Sequence, residues 1–252
     1  MKKTINAFII FIMFSALLLA GNRQFEKDII KTNSSELTIT FIGHASLMFT
    51  FNGKIIHVDP FSQMADYSLL PPADLILITH HHGDHLDPEA IKLIRQEKTK
   101  ITGTQKCAPK IDGCIVMNNG DVKTVAGFKI EAVSAYNIIH KRDNGEPYHI
   151  KGEGNGYMIT FGDKRVYVAG DTEIIPEMKE LKNIDVAFLP MNLPYTMTPQ
   201  MVAEAAKTFK PHILYPYHDS GSDTAHLVEL LKNEKDMDVR IRNMYPPSSG
   251  EK

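Results

Sequence analysis

The chain has no excess of positive charge. Its 28 lysines and arginines stand against 30 acidic residues, a formal net charge of −2, which leaves no basic footprint for a nucleic acid. No segment is of low complexity, no short-period repeat runs through it, and no serine sits in a Gly-x-Ser-x-Gly elbow. Cysteine is down to two residues, Cys107 and Cys114; they could close a small-loop disulfide in an oxidising compartment or stay as free thiols. The apolar run at the amino terminus, residues 7–20, is too short for a confident membrane span. No cysteine follows it to take a lipid.

What is present describes an ordinary globular chain. With 252 residues, 43% hydrophobic and 23% charged, it is long enough for a full core and fits one domain. Lys2 and Lys3 before the apolar run, and Leu18-x-Ala20 at its end, have the layout of a secretory signal peptide over residues 1–20. A linker is expected at 21–34 and the folded domain at 35–252. The expected location is periplasmic or extracellular, with an uncleaved amino-terminal anchor as the alternative.

Alternating apolar residues predict strands at Leu37 to Ile42, Ser46 to Phe51 and Lys54 to Val58, the last two joined by the hairpin signal Asn52-Gly53. Leu75 to Ile78 reads as a buried strand. A helix over Pro88 to Gln96 follows, with Asp87 as its N-cap. Further strands are expected at Val122 to Ala135 with a break at Gly127, and at Gly156 to Phe161 and Arg165 to Ala169. Then a helix at Ile175 to Leu181, a strand at Asp185 to Leu189, a helix at Pro199 to Phe209 behind Thr198, a strand at His212 to Tyr217 and a helix at Thr224 to Asn233 alternate.

The most informative stretch is Thr79-His80-His81-His82-Gly83-Asp84-His85-Leu86-Asp87, directly behind a predicted strand. Four histidines and two aspartates in nine residues contain the pattern His-x-His-x-Asp-His, whose chance occurrence is on the order of one in a thousand. Neutral imidazole suits zinc and iron, and a carboxylate adds negative charge. Gly83 permits a tight turn, so His80 and His82 could face one ion while Asp84 and His85 face a second, roughly 3.5–4 Å away. Asp171 and His218 also stand where a predicted strand has just ended, a place where side chains can converge on a crevice. Taken alone, Asp171 could simply cap a helix and His218 could be a hydrogen-bonded histidine at a sheet end.

Val58-Asp59-Pro60, the Thr79 to His85 block, Ala169-Gly170-Asp171-Thr172 and Tyr215-Pro216-Tyr217-His218 together resemble the metallo-β-lactamase superfamily, over about Leu37 to Met244. The segments Thr40 to Ser46 and Gly154-Asn155-Gly156-Tyr157 resemble the branch of the L-ascorbate 6-phosphate lactonases and the relatives of N-acylphosphatidylethanolamine phospholipase D. The resemblance implies an α/β fold, a four-layer αββα sandwich of two mixed sheets, with a dinuclear site along one edge. It places His80 and His82 on a first metal, Asp84, His85 and His218 on a second, and Asp171 between them. A further histidine is required, His149 in first place and His140 as the alternative, and Asp59 would hold the histidine loop by hydrogen bonds. His44, His57 and His81 are expected in structural or rim positions, and Tyr195 in the pocket or in packing.

Two divalent ions, zinc first and manganese or iron(II) as alternatives, would make hydroxide available near neutral pH, with Asp84 or Asp171 relaying a proton. The expected activity is hydrolysis of a small ester, lactone or phosphodiester, with a small-molecule substrate and no nucleic-acid partner. A nuclease of the ribonuclease Z type and a non-hydrolytic iron-binding redox member are the competing readings.

Overall fold

The computed structural model describes residues 25–245; the expected signal peptide lies outside them. The first of two seven-stranded sheets runs in chain order through β1 (Lys27–Lys31), β2 (Glu36–Gly43), β3 (Ser46–Phe51), β4 (Lys54–Val58), β5 (Leu75–Leu77), β6 (Lys100–Gly103) and β7 (Ile115–Val116). The second runs through β8 (Val122–Val125), β9 (Phe128–Ala135), β10 (Gly154–Phe161), β11 (Lys164–Val168), β12 (Val186–Pro190), β13 (Ile213–Tyr217) and β14 (Asp238–Val239).

Both sheets obey one pairing rule. Their first three pairings are antiparallel and their last three parallel. Connection length accounts for most of it, because a two-residue loop can only return the chain antiparallel while a parallel neighbour needs a crossover. Asn52-Gly53 and Ala126-Gly127 make such loops, with φ of 50°, 71°, 52° and 92°. β9 and β10 are the exception, antiparallel across the long segment 136–153. The crossovers carry the helices: α1 (Pro88–Ile94) between β5 and β6, α2 (Pro199–Phe209) between β12 and β13, and α3 (Thr224–Leu231) between β13 and β14.

The central core lies between the sheets, where Leu37, Phe41, Phe49 and Val58 meet Tyr157, Phe161, Phe188 and Tyr215. A second core seals α2 and α3 onto the outer face of the second sheet, and a third seals α1 onto the first. The result is the four-layer αββα sandwich. Helix starts are set locally: Asp87 accepts from the N–H groups of Glu89 and Ala90, and Thr198 from that of Met201, each followed by proline.

Several expectations change. The stretch 21–34, read as a linker, contains β1, which pairs with β2 from Lys27↔Thr40 to Lys31↔Glu36. Only Ile30 of this strand is buried, so its lysines and Asp28 hid the alternation. The expected helix at Ile175 to Leu181 is a short 3₁₀ turn, Pro176–Glu180. The short strands β6, β7 and β14 were not anticipated. Both cysteines are free.

Candidate metal centre

The parallel strands deliver the chemistry. The histidine block follows β5, Asp171 follows β11, Asn192 and Tyr195 follow β12, and His218 follows β13. The two sheets are stitched together at this edge, where Asn155 N–H donates to the Thr79 carbonyl and the Tyr157 hydroxyl to that of Ile78, and within the second sheet Gly170 N–H donates to the Tyr217 hydroxyl, each at 2.9 Å.

Asp59, fully buried beyond β4, holds the block from beneath. Its carboxylate accepts from Thr79 N–H at 2.8 Å and Thr79 Oγ1 at 2.6 Å, and lies 2.8 Å from His85 Nδ1. An ionised carboxylate can only accept, so His85 Nδ1 carries a proton toward Asp59 and Nε2 is directed to the opposite side. There Nε2 lies 3.5 Å from Asp171 Oδ1 and 3.7 Å from Asp84 Oδ2.

Two groups of donors flank Asp171. On one side stand His80, His82 and His149, all within coordinating reach of one another, with His80 Nε2 3.0 Å from His82 Nδ1 and His149 Nε2 3.2 Å from Asp171 Oδ2. On the other stand Asp84, His85, His218 and His44, His218 Nε2 being 3.6 Å from Asp171 Oδ2 and 3.7 Å from Asp84 Oδ2. Neighbouring ligand atoms around an ion with bonds of about 2.0–2.2 Å in tetrahedral array sit roughly 3.3–3.6 Å apart, so these spacings fit. His85 Nε2, His218 Nε2 and Asp171 Oδ1 are buried without a hydrogen-bond partner. Such orphaned atoms are costly unless another group satisfies them, and three of them around one crevice fit metal ions.

Protonation also favours ligation. Burial, and then the charge of His85, hold His80 well below the ordinary histidine range; burial and His149 bring His82 to about 4. Burial raises the Asp171 carboxyl, but His218, His85 and His149 outweigh it and keep the group ionised. His85 goes the other way, because burial lowers it while Asp171, Asp59 and Asp84 raise it, to about 10.

The structure brings His80, His82, Asp84, His85, His149, Asp171 and His218 together. His140 is instead set beside Glu173, with Nδ1 2.6 Å from Oε1. His57 is buried against the Pro71 carbonyl, and the His81 carbonyl takes a hydrogen bond from Lys110. His44, expected in a structural or rim position, lines the cleft beside the donors: its Nε2 is 3.0 Å from Asp84 Oδ2, and its ring centroid is 3.8 Å from that of His218. Over the centre opens a cleft of about 430 Å³ whose wall includes Arg142, Tyr148, Asn192 and Tyr195. Tyr195 meets Tyr148 edge-on at 5.0 Å, and the Arg142 guanidinium lies 5.0 Å from the Tyr148 ring centre. Sequence reading missed Arg142, Tyr148 and Asn192, which carry no spacing signal.

Fold and site together define a two-sheet sandwich with a histidine–carboxylate centre along one edge. A family model described as a beta-lactamase superfamily domain matches residues 38–218, and the chain belongs to the metallo-β-lactamase superfamily. Among its relatives, a metal-dependent hydrolase from Methanopyrus kandleri is 31% identical over 194 residues, 72% of this chain and 84% of that one. Another from Thermococcus kodakarensis is 34% identical, over 71% and 83%. Of solved structures, a Parabacteroides distasonis protein described as a metal-dependent hydrolase superposes with a TM-score of 0.84 at 51% identity, covering 88% of this chain and all of its own.

Proposed function

We propose that the protein is a metal-dependent hydrolase acting on a small ester, lactone or phosphodiester. The observation that carries this reading is the set of three buried, unpartnered ligand atoms on His85, Asp171 and His218 within one constellation of eight donors. His80, His82 and His149 would hold one divalent ion and Asp84, His85 and His218 a second, with Asp171 between them. Zinc suits this nitrogen-rich set best, with manganese or iron(II) as alternatives. Two such ions, held there, would supply water of lowered pKa and polarisation of a scissile carbonyl or phosphoryl oxygen.

The chain supplies the rest. Asp84, whose side chain is 40% exposed while its Oδ2 faces His44, is placed to carry a proton to the leaving group. Arg142 and Tyr195, on two adjoining loops that meet at Tyr148 in the cleft wall, hold the body of a small substrate. Among the described residues, no helix is long and apolar enough to cross a membrane.

The test is a screen of lactones, phosphodiesters, phospholipids and β-lactams against zinc-loaded and chelated protein. Hydrolysis of one class should vanish on chelation and return with zinc. His82→Ala and Asp171→Ala should each lower kcat/KM about 10³-fold, the equivalent of roughly 4 kcal/mol of transition-state stabilisation. Unchanged turnover after chelation, or in either variant, would sink the reading.

A further inference from the structure

Glu173 lies two residues beyond Asp171 and is fully buried, yet nothing in the constellation of donors uses it. Its carboxylate accepts from the backbone N–H groups of Ile138, Ile139 and His140 at 2.7, 2.6 and 2.7 Å, and from the Asn137 side-chain amide at 3.1 Å. Four donors on one carboxylate, three of them backbone, fold residues 137–140 around Glu173 and fix the Asn137 side chain.

The orientation of that amide follows from its partners. Asn137 Nδ2 faces two groups that only accept, Glu173 Oε1 and the Tyr195 carbonyl at 2.9 Å. Asn137 Oδ1 faces the His149 backbone N–H at 3.0 Å, which only donates. The amide cannot be reversed without losing all three bonds. Oδ1 also lies 2.6 Å from His149 Nδ1, so in the neutral ring this nitrogen bears the proton and Nε2 carries the lone pair. A second tie, Asn137 N–H to the His149 carbonyl at 2.9 Å, prevents the pair from sliding. Nε2 is the atom aimed at Asp171 and at the group formed with His80 and His82.

We infer that Glu173 and Asn137 are a positioning chain that fixes both the tautomer and the aim of His149, and thereby determines how tightly the His80–His82–His149 side of the centre holds its metal. The inference rests on the two-ion reading above. Outer partners of this kind typically change metal affinity 10- to 100-fold. Because Asn137 also holds the Tyr195 carbonyl, the same chain joins the metal side of the cleft to its substrate side.

Zinc titration of the metal-free protein against a chromophoric chelator tests it. Asn137→Ala should weaken one of two zinc sites about 10- to 100-fold and leave the other unchanged, and the weakened site should be the one lost in His149→Ala. Glu173→Gln should act in the same direction, and the double variant should be no worse than Asn137→Ala, because the two residues act in series. Thermal unfolding of the metal-free variants reports how much folding is affected. In zinc-loaded wild type, nitrogen-15 NMR of the histidines should show His149 protonated at Nδ1; this measurement decides even where a variant fails to fold. A proton on Nε2, or folded variants that bind both zinc ions as tightly as wild type, would overturn the inference alone. Wild-type protein that binds no zinc would overturn the metal reading along with it.

Discussion

Asp59 is a carboxylate whose effect is exerted through another side chain. It is buried, accepts three donors, and directs the His85 imidazole so that Nε2 faces Asp171. Asp59→Asn would place an amide N–H against His85 Nδ1 or Thr79 Oγ1 and push the imidazole towards the tautomer that cannot ligate. The expected outcome is a 10- to 100-fold loss of zinc affinity and about 1–3 kcal/mol of stability, read from competition titration and thermal unfolding. His85 yields a second prediction. Its pKa in the metal-free protein, about 10, lies above the ordinary value near 6.5, so its contribution to stability is full below about pH 6.5 and fades as pH rises towards 10. The melting temperature of the metal-free protein should fall across that window. Zinc must displace this proton, so the binding enthalpy at pH 7.5 should change with the ionisation enthalpy of the buffer; identical enthalpies in phosphate and Tris would contradict the protonated state.

At the level of elements, the site depends on how strands end. Gly170 has φ +65°, and a Cβ there would sit 2.8 Å from the Asn155 carbonyl oxygen and 3.1 Å from Thr79 Cβ. Gly170→Ala should therefore cost about 1–3 kcal/mol and displace both Asp171 and the histidine block, seen as a lower melting temperature with reduced zinc content. Most of these elements could be read in the sequence because their signals are local. Asn52-Gly53 announces a hairpin, Asp87-Pro88 opens a helix, and Leu75 to Ile78 is an unbroken apolar run. Of the strands that escaped, Ile115–Val116 and Asp238–Val239 have two residues each and Lys100–Gly103 four, too few to show a period, while Lys27–Lys31 buries only one residue. At the site, the block of histidines is contiguous and so visible. His44 touches Asp84 across 40 residues, and Asn137 reaches Glu173 across 36; such pairs exist only once the sheets have assembled.

Over the described residues, the first strand is tied to the closing segment, residues 240–242. Asp28 accepts from the Tyr215 hydroxyl, from Arg240 at 3.2 Å and from Nε and Nη2 of Arg242. This clasp lies on strand β1 and not among the metal donors, so Asp28→Ala should lower stability by about 2 kcal/mol while zinc stoichiometry stays at the wild-type value. Loss of zinc in that variant would show that β1 is coupled to the centre.

The shared pairing rule of the two sheets has a consequence for how such a centre can change. Each half of the chain follows its fourth strand with a carboxylate, Asp59 in one and Asp171 in the other, but only Asp171 lies between the two groups of donors while Asp59 stands behind His85. The halves thus divide the labour unequally on matching frames. The first contributes the dense run of donors and its brace, and the second contributes the central carboxylate Asp171, the histidines His149 and His218, and the loops of Arg142 and Tyr195. Loops carried by the second half can therefore diversify, and with them the choice of substrate, while the histidine block and its brace stay untouched.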